Sequence, residues 1–127
     1  MIHTTHRKAI DAYAAINRIL QMPFRMGDAR KITMMKIALD SEAQFNDQEV
    51  HKLFSRYHCE AMKDGRYKFE STEERDAFEQ NVSEMDKIEF DINEDPVTIS
   101  LCMYDSDDIV ITQGDISALE GFIEFTE

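Results

Sequence analysis

Apolar and small residues recur at Ile32, Met35, Leu39, Ala43, Val50, Leu53, Tyr57 and Ala61, in steps of three or four with one step of seven. That spacing marks one face of an α-helix. No Pro or Gly falls between Ala29 and Lys63, so the pattern predicts one long helix over Asp28–Met62, about nine turns at 3.6 residues each. Asp28 is the expected N-cap, with Gly27 freeing the backbone before it. Lys63-Asp64-Gly65 is the expected stop. A helix of this length cannot bury its stripe alone, so its flanks must fold onto it.

Residues 7–21 predict a first helix. Ile10, Tyr13, Ala14, Asn17 and Leu20 share a face that Ile16 and Ile19 widen, Thr4 or Thr5 supplies the cap, and Pro23 ends it. The short connection that follows favours antiparallel packing against the first half of the long helix. After a turn at Asp64-Gly65, Ser71-Thr72-Glu73-Glu74 has the form of a capping box and opens a third helix to about Asp86. Phe78 and Val82 on that helix are expected near Leu53, Phe54 and Tyr57, completing a helical hairpin.

The period then drops to two. Ile88, Phe90 and Ile92 alternate with Glu89 and Asp91, and Val97, Ile99, Leu101 and Met103 alternate with Thr98, Ser100 and Cys102. Two such runs about Asn93–Pro96 predict a β-hairpin. An acidic loop follows at 104–108, then a short apolar piece at 109–111. A last short helix is predicted, capped by Thr112 with Asp115, turning Ile116, Leu119, Phe122 and Ile123 inward. Helices first and strands later give an α+β fold: an N-terminal helix and a long helical hairpin packed with a small antiparallel sheet and a short C-terminal helix. At 127 residues with 43% hydrophobic and 31% charged positions, residues 1–127 are expected to form a single globular domain. No apolar run reaches membrane-spanning length and the N-terminus has no signal-peptide core, so no membrane association and a cytoplasmic setting are expected.

Charge changes this picture. The net charge is −12, yet residues 1–63 carry 10 Lys and Arg against 7 Asp and Glu, a net of +3, and residues 64–127 carry 4 against 19, a net of −15. The acidic half argues against direct nucleic-acid binding, because phosphates are repelled. It suits a basic partner, or a protein surface that itself binds nucleic acid.

Catalytic signals are weak. His51 and His58 are seven residues apart, about 10 Å along a helix, too far for one metal. His3 and His6 lie by the terminus. His58-Cys59-Glu60 are adjacent, and neighbouring helix residues point apart. Cys59 and Cys102 are expected to be free thiols. Asp105-Ser106-Asp107-Asp108 begins like a calcium loop but has Val110 and Ile116 where Gly and Glu are required. No phosphate-cradling glycine loop exists. The expectation is a non-enzymatic protein with no cofactor and no metal.

Seven internal methionines and a second apolar set on the long helix, Met34, Ile37, Phe45, Phe54 and Met62, predict a docking or homodimerisation face. The carboxylates of Glu89, Asp91, Glu94, Asp95, Asp105, Asp107 and Asp108 are spaced to imitate phosphates. Two functions follow: a protein–protein interaction or accessory protein acting through the helix face (Met34, Ile37, Phe45), and an acidic, DNA-mimicking inhibitor of a nucleic-acid-binding protein.

The order of segments resembles a family of small phage proteins of unknown function. The matching stretches are Ala14–Leu20, Lys31–Tyr57, Lys63-Asp64-Gly65-Arg66-Tyr67-Lys68-Phe69, Ser71–Met85, Ile88–Ile99 and Ile111–Glu124, the last containing Leu119-Glu120-Gly121-Phe122-Ile123-Glu124. The resemblance carries over no site residues. It implies a phage or prophage origin and a bacterial host cytoplasm. The inhibitor reading rests on the acidic half instead, and its expected target is a host or defence protein, as for anti-CRISPR-type proteins.

Overall fold

The computed structural model describes residues 1–127. The chain is α+β, in the order β1 (Ile2–Thr5), α1 (His6–Ile19), α2 (Met26–Arg56), β2 (Glu60–Ala61), β3 (Tyr67–Lys68), α3 (Thr72–Asp86), β4 (Glu89–Ile92), β5 (Val97–Ser100), α4 (Gln113–Leu119) and β6 (Ile123–Thr126). No helix is long and apolar enough to cross a membrane.

The caps at three helices follow from local chemistry. Thr5, Ser71 and Thr112 each accept a hydrogen bond from a first-turn backbone N–H of α1, α3 and α4, and Thr112 forms a full capping box with Asp115. At α2 the expectation differs. Arg25 occupies the N-cap without a side-chain bond, and Asp28 lies inside the first turn. There Asp28 accepts a hydrogen bond from the Tyr104 hydroxyl, so its carboxylate holds a distant loop instead of capping its own helix. The far end also stops early. Tyr57 caps α2, and His58 takes the left-handed conformation at φ 52°, one that side chains other than Gly and Asn adopt at a cost. Lys63–Gly65 therefore forms the turn of a small β2–β3 hairpin, where Gly65 has φ 85°.

α1 runs antiparallel to the first half of α2, as His6 meets Glu42 and Asn46, and Tyr13 donates to Asp40. Its inward face is rotated from the expected one. Ala9, Ala12, Ala15, Ile16 and Ile19 are buried, while Ala14 and Asn17 face solvent. The physical reason is close packing: small alanines let two further elements approach one helix.

α3 returns along the second half of α2, with Phe54 stacked on Phe78 at 5.6 Å and Asn81 donating to the Tyr57 hydroxyl.

The β-hairpin between residues 88 and 103 does not form. β4 pairs antiparallel with β1, Ile2 opposite Ile92, and β5 pairs parallel with β6, Val97 opposite Ile123. Three two-stranded sheets result, two of them antiparallel. The alternating pattern specifies strands with one buried face but not their partners. Ile92 and Ile99 reach the shared core from separate ribbons. The final apolar segment is likewise split. α4 ends at Leu119, Gly121 turns the chain at φ 86°, and Ile123 opens β6. Leu119, Phe122 and Ile123 are buried as expected, but Ile116 is exposed.

Candidate functional site

The sequence-predicted residues fall into three places. Met34 and Ile37 lie beside a cavity of about 330 Å³ between α2 and the end of β4. Ala38, Ser41 and Glu42 continue that wall, and the segment Phe90–Glu94 closes the other side. Helical spacing places Met34, Ile37, Ala38 and Ser41 together, turned away from the buried Ile32, Met35 and Leu39. Met34 and Ile37 are 38% and 55% exposed. Half of the ten lining residues are apolar, and Glu42, Asp91 and Glu94 give the groove an acidic rim.

Phe45 lies further along the helix, lining a second cavity of about 400 Å³ with Leu53, Met85 and Ile88. Its ring sits edge-on to His6 at 5.7 Å. Here the polar wall is mixed, with Lys52 and Arg56 beside Glu49 and Glu84. Residues 34, 38, 41, 45, 49, 52 and 56 step by three or four, so the two grooves follow one stripe of α2, about 33 Å long at 1.5 Å per residue.

The carboxylates are less free than their number suggests. His3 binds both strand acids of β4: Nδ1 lies 2.7 Å from Asp91 and Nε2 3.5 Å from Glu89. The hydrogen bond to Asp91, then that to Glu89, raises the His3 pKa from its ordinary 6.5. Asp95 meets the N-terminal ammonium at 2.8 Å, and that contact holds its carboxyl below the usual range. Strand pairing of β1 with β4 is what brings these cations in, and nothing local in residues 89–95 announces them. Glu94 lines the first groove without an ion pair. Asp105, Asp107 and Asp108 are exposed and have no cation partner. Their turn is fastened beneath by buried Ile109 and by Tyr104, which reaches Asp28.

The histidines are placed differently from one another. His6 is fully buried, Nδ1 at 2.6 Å from Glu42 and Nε2 at 2.9 Å from Asn46. It is a structural post between α1 and α2. His58 stands at the end of α2 with Glu74 at 3.0 Å, and that bond raises its pKa. Burial pushes the Cys59 thiol up, the direction opposite to that of an activated nucleophile.

No family model, curated protein or solved structure matches the chain.

Proposed function

We propose that the protein is a non-enzymatic interaction protein that docks a protein partner on the outward stripe of α2. The observation that carries this reading is the exposure of Met34 and Ile37 beside a groove that is half apolar. Large apolar side chains exposed together on a helix mark surfaces that another chain covers. Glu94, the lining carboxylate without an ion pair, suits a partner segment that places a cation beside an apolar anchor. Under this reading the partner is a second copy or another phage or host protein in a bacterial cytoplasm, the setting implied by the resemblance to small phage proteins.

The test is substitution on the groove. Ile37→Asp alters stability by no more than about 0.5 kcal/mol, as is usual for a surface site, and abolishes self-association or capture of the partner. Retention of both the oligomeric mass and the partner by Ile37→Asp refutes the docking face.

One observation supports the second reading, an acidic inhibitor imitating nucleic acid. Asp105, Asp107 and Asp108 are exposed without partners on one anchored turn. Reversing all three to Lys removes inhibition or binding of a nucleic-acid-binding target, and added salt weakens the wild-type complex steeply. A complex insensitive to both belongs to the helix face instead.

A further inference from the structure

Three histidines contact carboxylates, and the geometry separates them. At His3 the two acids bracket opposite ring nitrogens. At His6 one nitrogen meets Glu42 and the other Asn46. At His58 both acids face the same nitrogen: Nδ1 lies 3.0 Å from Glu74 Oε1 and 3.8 Å from Glu70 Oε2. One ion can touch three ligand atoms only in this last arrangement.

We propose that His58, Glu70 and Glu74 form a binding site for a divalent transition cation of the zinc class. The three donor atoms lie within 4.8 Å of one another. Zinc bonds of about 2.0–2.1 Å in a tetrahedron require ligand separations of about 3.3 Å, and the two observed distances to Nδ1 fall on either side of that value. A second observation is independent of the spacing. Glu74 Oε2 is buried and has no hydrogen-bond partner. A carboxylate oxygen withdrawn from water without a partner is costly, and an ion that Glu74 chelates through both oxygens, Oε1 facing His58 and Oε2, supplies the missing one.

The three ligands come from three segments: His58 follows the Tyr57 cap of α2, Glu70 lies in the link between β3 and α3, and Glu74 is in the first turn of α3. His58 and Glu70 line a cavity of about 150 Å³ together with Glu60, Lys68 and Phe69. Water from this open cavity would complete the shell. Lys68 opposes a cation, but the carboxylates of Glu60, Glu70 and Glu74 outnumber it. One nitrogen and two or three carboxylate oxygens suit zinc or cobalt better than calcium, which takes six to eight oxygens. A bound ion would tie α2 to α3 at the end that the β2–β3 hairpin connects, where the left-handed His58 follows the long helix.

The experiment is calorimetric titration of tag-free, metal-stripped full-length protein with Zn²⁺, paralleled by visible absorption with Co²⁺. The expected result is one ion per chain, with the ligand-field bands of four-coordinate cobalt. His58→Asn keeps a residue tolerant of the left-handed backbone and, like Glu70→Gln, weakens binding at least about tenfold, the loss that even outer-shell changes produce. His3→Asn leaves binding unchanged, and circular dichroism checks that every variant is folded. The proposal is overturned if the wild type shows no saturable binding in the millimolar range. It is equally overturned if folded His58→Asn binds like the wild type, or if Ca²⁺ binds as tightly as Zn²⁺.

Discussion

The two halves of α2 are packed in different ways. Its first half presents Ile32, Met35 and Leu39, each at most 1% exposed, to a core of 14 buried residues. β1, α1, β4, β5, α4 and β6 all contribute to that core. Its second half touches α1 at His6, through Glu42, Phe45 and Asn46. Beyond that it packs on α3 and the β2–β3 hairpin through an aromatic group: Phe54 on Phe78, Phe54 with Tyr67 at 5.4 Å, and Phe69 with Phe78 at 5.2 Å. Within that half of α2 only Leu53 is buried, while Tyr67 stays 55% exposed. One continuous helix thus joins a closed core to an open hairpin. The Phe45 groove and the histidine–carboxylate cluster lie on the open half, and the Met34 groove lies on the outward face of the closed half. A site that must meet a partner or an ion has to remain unfilled by the chain itself.

The largest expected effect tests that contrast directly. Ile32→Ala empties a fully enclosed position and costs about 3 kcal/mol. Phe78→Ala, at the edge of the open hairpin, costs about 2 kcal/mol, below the range for an enclosed ring. Denaturant midpoints measure both. Hydrogen exchange sharpens the comparison: amides of residues 47–56 and of α3 exchange through local opening, whereas those of residues 32–39 exchange only with global unfolding. Equal protection of the two halves would erase the distinction.

A smaller effect lies at the boundary. Glu42→Ala leaves His6 Nδ1 buried without its partner, and a cost of about 2 kcal/mol follows from that unsatisfied donor. Equilibrium unfolding of the variant measures it. An unchanged stability would show that His6 is not the post joining α1 to α2.

The smallest effect is at the ribbon that flanks the groove. The His3 pKa is raised by Asp91 and Glu89, so protonated His3 is favoured in the fold. The extra stability is fully present below the unfolded value of 6.5, and it is lost as pH rises through the higher folded value. The contribution is small because the site is exposed. The melting temperature should fall slightly more between about pH 6 and about pH 8 in the wild type than in His3→Asn. Identical pH slopes would show that His3 does not hold these acids.

The residues themselves show why some of this was legible in sequence. Ser71 and Thr112 cap through bonds three residues away, and the period of α2 is written along the helix. Such signals are short-range, so they survive without knowledge of the fold. The exposed Met34, Ile37 and Phe45 were legible too, as apolar residues off the main stripe. What they line was not, because each groove is completed by residues far along the chain, such as Ile92 and Glu94 opposite Met34 and Met85 and Ile88 opposite Phe45.

By itself, then, the sequence determined the caps of α3 and α4 at Ser71 and Thr112, that the fold is α+β, and that its acidic charge lies in the second half. The ends of α2, expected at Asp28 and Met62, fall at Met26 and Arg56. Only the tertiary structure decided which strands pair. Ile2 joins Ile92, and Val97 joins Ile123 in parallel, because alternation gives a strand a buried face but no partner. It also decided which acids are neutralised, by carrying His3 and the N-terminus onto Glu89, Asp91 and Asp95. It decided, too, that two carboxylates share one nitrogen of His58. Hydrogen bonds within a turn are set by neighbours in sequence. Charge pairing and ligand geometry are set by whichever elements packing brings within a few ångströms.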